Sequence, residues 1–242
     1  MPYIVTYQNI VNKKIIDLAY DKQDYPMHIF DEKISRNKQI LLLDLKVGDI
    51  MVDRYSGNKY KTLNIEYTDR TLTCFTGDCT IMCPVNNIPR FICDLEVGDS
   101  VYTTDNKITK IRAILETRVT TTHTMLQKNK NGLKITNYHP VKNEKGEWIF
   151  PCESDEYTAI FEQVSSVYSI ALRSGHILYI NDTPVIGLAH NFADNAIVKH
   201  PYFGTERVIN SIYTINPKGY ATITDKQLHR NSQTGLIDGI IV

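Results

Sequence analysis

Three short segments carry the residue types from which peptide-bond chemistry could be built. The first, Thr73-Cys74-Phe-Thr-Gly-Asp-Cys79-Thr-Ile-Met-Cys83, gathers three of the five cysteines. The second is Leu133-Lys-Ile-Thr136-Asn-Tyr-His139-Pro140, and the third Val185-Ile-Gly-Leu-Ala-His190-Asn191-Phe192. Cys74 precedes a Gly-Asp turn and follows a β-branched run, which places it at the mouth of a strand. A cysteine directly after a distorted peptide bond can attack the preceding carbonyl, here that of Thr73, and turn the amide into a thioester. That attack is uphill unless the bond is strained, the oxyanion is held and the leaving amine is protonated. Thr136 and His139 lie on one side only if Asn137-Tyr138 bends, and Pro140 pushes His139 towards extended or turn geometry.

Each of these residues also has a plainer reading. His139, taken alone, is a turn histidine satisfied by a backbone carbonyl; in the company of Cys74 and His190 it becomes a site residue. A zinc centre on Cys74, Cys79, Cys83 and Cys93 is conceivable, yet the spacings are not the paired two-residue gaps of zinc knuckles or ribbons. We therefore expect no metal and no cofactor, with Cys79, Cys83 and Cys93 as small packing residues and Cys152 as structural. A trans-acting cysteine hydrolase would cradle Cys74 at a helix N-terminus to lower its pKa, whereas the residues after Cys74 read as strand and turn.

The elements that must position these residues read as all-β. Tyrosine occurs 15 times in 242 residues, Ile, Val and Thr are frequent, and turn residues interrupt every few positions. Met1 to Asn37 suggests a short helix plus an edge strand, or a partly ordered leader. The string Asp44-Leu45-x-Val47-Gly48-Asp49 recurs as Asp94-Leu95-x-Val97-Gly98-Asp99. Each copy reads as strand, tight turn, strand, either a duplicated hairpin device or a coincidence of common turn residues. Further strands are expected over Lys107–Val119, Ser166–Leu172 and His176–Asn181, with hairpin turns at Asn129–Gly132 and Glu144–Gly146.

Charge and leader narrow the partners. Lys plus Arg and Asp plus Glu both number 27, so nothing advertises nucleic acid or an anionic membrane. Met1 to Tyr7 runs into Asn9, Asn12, Lys13 and Lys14 rather than an apolar leader, and no run approaches a membrane span. With five cysteines and no leader, the thiols are expected to be reduced and the location cytoplasmic.

Cys74-Phe-Thr-Gly-Asp, then Thr136-x-x-His139, then His190-Asn191, in that order and with Leu95-x-Val97-Gly98-Asp99 between, resembles the Hint fold of inteins and hedgehog autoprocessing domains. Gly187-Leu-Ala-His190-x-Phe192, His200-Pro-Tyr-Phe-Gly-Thr205 and Thr234-Gly-Leu236 are similar to the Hint variant associated with von Willebrand A-type domains. The resemblance covers Cys74 to about Gly239. It implies a mainly β, pseudo-twofold horseshoe of long hairpins with few short helices. It also implies an N-terminal segment 1–73 of unknown role, either a leaving fragment or a packed β extension. A Hint-like autoprocessing domain would then run over 74–242, with 192–242 as a C-terminal continuation of the fold.

The roles that come with the resemblance are these. Cys74 attacks the Thr73–Cys74 bond, Thr136 and His139 grip it with His139 protonating the nitrogen, and His190 assists Asn191. Splicing needs Ser, Thr or Cys after Asn191, where Phe192 stands, and residues 192–242 look too short and polar for a sterol-binding region. The expected activity is therefore a single-turnover, cysteine-dependent self-cleavage, with the thioester passing to water or another nucleophile. Its substrate would be the chain's own N-terminal segment, and other proteins are further candidate partners. The alternatives are a cleavage-inactive β module for interaction or structure, and the trans-acting hydrolase.

Overall fold

The computed structural model describes residues 3–12, 15–20, 26–31, 36–41, 49–53, 56, 58–67, 73–120, 124–231, 234 and 236–241. The chain divides into two compact units, Met1–Arg70 and Thr71–Val242.

The first unit is an antiparallel sheet of six strands. In chain order these are β1 (Tyr3–Asn9), β2 (Ile15–Tyr20), β3 (Pro26–Asp31), β4 (Arg36–Leu41), β5 (Ile50–Val52) and β6 (Lys59–Tyr67). They lie side by side as β2-β1-β6-β5-β3-β4. Strands thus stand over the part of Met1 to Asn37 described, where a short helix was one expectation; alternating pieces such as Tyr3-Ile-Val-Thr suit a pleated strand. The first Leu-x-Val-Gly-Asp copy falls largely outside the described residues.

The second unit builds two large sheets and a two-stranded one. Its strands begin with β7 (Phe75–Thr76), β8 (Thr80–Cys83), β9 (Ile88–Phe91), β10 (Ser100–Tyr102) and the long β11 (Ile108–Arg118). Next come β12 (Thr124–Asn129), β13 (Lys134–Ile135), β14 (Val141–Lys142), β15 (Trp148–Ile149) and β16 (Tyr157–Glu162). Then follow β17 (Ser166–Leu172), β18 (Ile177–Ile180) and β19 (Thr183–Ile186). The helix α1 (Glu206–Ile215), β20 (Tyr220–Thr224), β21 (Leu228–Arg230) and β22 (Ile237–Ile240) complete the unit. One sheet runs β10-β11-β17-β7-β13-β12-β16, with β20 added parallel to β11; the other runs β15-β14-β19-β18-β8-β9. No helix among the described residues is long and apolar enough to cross a membrane.

The expected turns at Asn129–Gly132 and Glu144–Gly146 join β12 to β13 and β14 to β15. The second Leu-x-Val-Gly-Asp copy differs from expectation: a 3₁₀ turn over Ile92–Asp94, not a strand, precedes the Val97-Gly98 turn. Asp99 explains the preference, because its carboxylate accepts from Arg90 at 2.7 Å and from the Glu96 amide at 2.9 Å, a local alternative to a ladder.

Apolar side chains of the two sheets, among them Phe75, Ile111, Ile135, Ile170, Ile81, Leu178 and Val185, meet in one buried cluster. A second cluster covers the opposite face of β11 and β17: Ala113, Leu115 and Ala171 pack with Val208, Ile209 and Ile212 of α1 and with Ala221 and Ile223 of β20. Ile111 and Ala113 would share a face in a regular strand, but a register shift between them sends them to different cores. Truncating a fully buried side chain in such a core costs about 2–5 kcal/mol. The segment after Asn191 is accordingly part of this unit's fold, because β20 pairs with β11 and α1 closes the second cluster.

Candidate active site

Strand register assembles the site. β7 lies between β17 and β13, and Phe75 pairs with Tyr168 on one side and Ile135 on the other. Both pairings are antiparallel, so the residue before Phe75 comes opposite the residues after Tyr168 and Ile135. Cys74 therefore stands between Ser169 and Thr136, in one row.

The polar groups of that row are joined. The Cys74 amide donates to Thr136 Oγ1 at 3.1 Å, while the Thr136 amide and hydroxyl donate to the Cys74 carbonyl at 2.9 and 3.2 Å. The Ser169 hydroxyl donates to the Thr73 carbonyl oxygen at 2.5 Å, and Ser169 Oγ also lies 3.2 Å from Cys74 Sγ. Both ends of the Thr73–Cys74 peptide bond are thus held by side-chain hydroxyls, nitrogen by Thr136 and carbonyl by Ser169. Cys74 is 1% exposed, and Ser169 and His139 are each 2% exposed. Burial pushes the Cys74 thiol up to about 12, the Ser169 hydrogen bond drawing it partly back.

Thr76 and Gly77 tighten the entrance. The Thr76 hydroxyl donates to Asp78 at 2.5 Å, and Lys134 Nζ, at the start of β13, pairs with Asp78 and Glu162 at 2.6 Å each. Gly77 fits because a Cβ there would come within 2.9 Å of the Tyr168 ring and 3.0 Å of Cys93 Cβ.

Asn137-Tyr138 bends as the spacing required: the His139 amide donates to the Thr136 carbonyl at 3.2 Å. The turn is braced by Gln127, which donates to Asn137 at 3.0 Å, and by an edge-on contact of Tyr138 with Phe150. His139 Nε2 lies 2.7 Å from the Ile186 carbonyl at the end of β19, so Nε2 carries the hydrogen in the neutral ring. Its Nδ1 is buried without a hydrogen-bond partner, and the ring lies 5.6 Å from that of Phe75. Burial pushes His139 down to about 4, with the backbone of Ile186 and Cys74 opposing the shift.

His190 and Asn191 occupy a separate turn, where Ala189 and Asn191 both adopt positive φ, +54° and +59°. The Phe192 amide donates to His190 Nδ1 at 2.9 Å, so His190 touches the Asn191–Phe192 peptide nitrogen. The Asn191 side-chain amide donates to the Ala189 carbonyl at 3.3 Å. Ala189 and Asn191 donate to the carbonyls of Phe203 and Gly204, both at 2.8 Å. His190 is pushed down to about 4 by burial, then by the charges of His176, His200 and His139; burial alone pushes His200 to about 4.

The remaining thiols divide. Cys79 is buried, with its sulfur 3.4 Å from Thr76 Oγ1 and accepting from the Lys134 amide at 3.3 Å, and Cys83 is buried. Cys93 is exposed, against the packing expectation, because the 3₁₀ turn swings it outward. Among the described residues no three His, Cys, Asp or Glu side chains converge so as to hold a metal. Cys74 leads into β7 rather than a helix. Ser169 is the residue that the sequence did not mark: it lies within the strand Ser166-Val-Tyr-Ser169-Ile-Ala-Leu172, and only pairing to β7 reveals it.

No curated protein matches the chain. Among solved structures it is similar to a DnaB intein from Synechocystis sp. PCC 6803, at 17% identity and TM-score 0.38, over 47% of this chain and 97% of that one. The gp41-1 intein is similar at 11% identity and TM-score 0.37, over 47% and 98%. The MchDnaB-1 intein is similar at 13% and 0.37, over 47% and 99%. The Vint family model, described as a Hint-domain, matches residues 73–239, starting at the residue before Cys74 and spanning well over half the chain. The chain belongs to the Hint-domain family.

Proposed function

We propose that this chain is a self-cleaving Hint domain in which Cys74 attacks the Thr73 carbonyl, an N–S acyl shift, and the thioester then passes to water or another nucleophile. The observation that carries this reading is the grip on one peptide bond by Thr136 at nitrogen and Ser169 at oxygen, with the Cys74 sulfur against Ser169. Held this way, the amide is oriented for attack and the developing oxyanion meets a donor already in place. His139, beside the Cys74 backbone, has its hydrogen on Nε2 bonded to Ile186, so it serves the nitrogen through Nδ1, which must first take up a proton released within the site. The boundary between the two compact units, Arg70/Thr71, lies just ahead of the proposed break, so cleavage would part the six-stranded unit from the site-bearing one.

Splicing is not part of the reading. Phe192 offers no hydroxyl or thiol to receive the acyl chain, and the Asn191 side chain is turned back onto the Ala189 carbonyl. The expected result is a break before Cys74, seen as two fragments in intact-mass measurements, faster with added thiol or hydroxylamine and absent in Cys74→Ala. A wild-type chain that stays whole under prolonged hydroxylamine treatment would overturn the proposal. It would favour the inactive module instead, a reading to which the near-complete burial of the Cys74 sulfur is suited.

A further inference from the structure

We propose that Ser169 is a catalytic residue of this acyl shift, a neutral relay that passes the Cys74 thiol proton to the Thr73 carbonyl oxygen as sulfur adds to the carbonyl carbon. The inference rests on the self-cleavage reading and adds the group that makes it possible in a buried site.

Hydrogen counting sets the direction of the relay. A serine hydroxyl has one hydrogen to donate. Ser169 directs it to the Thr73 carbonyl, so its contact with Cys74 must run the other way, from S–H to Oγ. The ground state is already a chain, S–H to O–H to O=C, with sulfur at one end and the electrophile's oxygen at the other. In the step, the C–S bond forms, the carbonyl π pair moves onto oxygen, the thiol proton goes to Ser169 and the Ser169 proton goes to that oxygen. The product is a neutral tetrahedral adduct, and Ser169 ends as it began. On collapse the oxygen releases its proton as the carbonyl re-forms, and the Cys74 nitrogen gains one as the C–N bond breaks. No proton is consumed overall.

A route through free thiolate is poorly served here. With the thiol pushed up to about 12, roughly one molecule in 10⁵ would be ionised at pH 7. Among the described residues, Ser169 is the hydrogen-bond partner of this sulfur. His139 and His190 are both held neutral above about 4, and burial also raises the thiol of Cys79. The charges at the start of β13, Lys134 with Asp78 and Glu162, satisfy one another. Neither histidine changes charge between pH 6.5 and 8.

The test uses the full chain and saturating hydroxylamine, following the break before Cys74 by intact mass from pH 6.5 to 8. A relay predicts a nearly flat wild-type profile. Ser169→Ala should slow the break by about 10²-fold or more, within the range for lost proton transfer, and its rate should rise about tenfold per pH unit because the thiol must then ionise. Ser169→Thr, which keeps the hydroxyl, should restore the flat profile. A Ser169→Ala protein with unchanged rate, or a slower one with a flat profile, would overturn the relay, the second marking a purely structural serine. Should Ser169→Ala fail to fold by circular dichroism, the wild-type rate in mixtures of H₂O and D₂O decides. A curved dependence from two protons in flight supports the relay, and a linear one rejects it. Failure of the wild type to cleave removes the self-cleavage reading and the relay together, whereas a cleaving wild type matched by Ser169→Ala removes the relay alone.

Discussion

Thr136 holds the Cys74 nitrogen, the leaving group of the proposed acyl shift, and it does so with one oxygen that accepts from the Cys74 amide and donates to the Cys74 carbonyl. A hydrogen bond of this kind is worth about 1 kcal/mol net, and more when its loss strands a buried donor. Thr136→Ala is therefore expected to slow the break before Cys74 by about tenfold or more and to lower stability by about 1–2 kcal/mol. Thr136→Ser, which retains the oxygen, should keep most of both. Mass-resolved cleavage rates and urea titration of the Cys74→Ala background separate the two effects. The same scale shows how much of the site was legible. Cys74, Thr136 and His139 could be read because their order and spacing resemble those of the Hint family. Ser169 could not, because one serine within a β run carries no mark until its neighbours in space are known.

At the scale of elements, a two-residue strand decides the chemistry. β7 pairs with two partners at once, and a one-residue slip against either would turn Ser169 or Thr136 to the other face. The sequence shows strands on either side of this row but not their lateral order, since β7, β13 and β17 are separated by long stretches of chain. The His190 turn is held by a different device, the backbone of residues 200–204. A Cβ on Gly204 would come 2.7 Å from the His200 carbonyl oxygen and 3.0 Å from His190 Cε1 and Nε2. Backbone gives way poorly, so Gly204→Ala should destabilise the fold by about 1–3 kcal/mol. It should also shift the His190 ring resonances in NMR spectra, while a surface control such as Lys218→Ala should do neither.

For the whole molecule, buried histidines set the response to acid. His139, His190 and His200 each fall from an ordinary 6.5 to about 4, by burial first in every case. A base whose folded-state pKa lies below its unfolded value takes up its proton on unfolding, so its contribution is fully present above about 6.5 and is lost as pH falls through about 4. Stability of the Cys74→Ala chain should therefore decline between these limits, with these three histidines taking up protons on unfolding. The decline should be on the order of 1–3 kcal/mol per histidine. Denaturant midpoints across this range check it, and His200→Gln should flatten part of the slope. A curve flat from pH 7 to 4.5 would contradict the burial of these rings.

The sequence by itself determined the class of fold, the order of the three chemical segments and the absence of a splicing acceptor after Asn191. These depend on local alternation, turn residues and the identity of single side chains, all of which act over a few residues. Tertiary structure alone decided that Cys74 is flanked by Thr136 and Ser169, that α1, β20, β21 and β22 complete the second core, and that Cys93 faces outward. These follow from strand register and sheet order, in which groups nearly 100 residues apart are brought within hydrogen-bonding distance by pairings that no local pattern encodes.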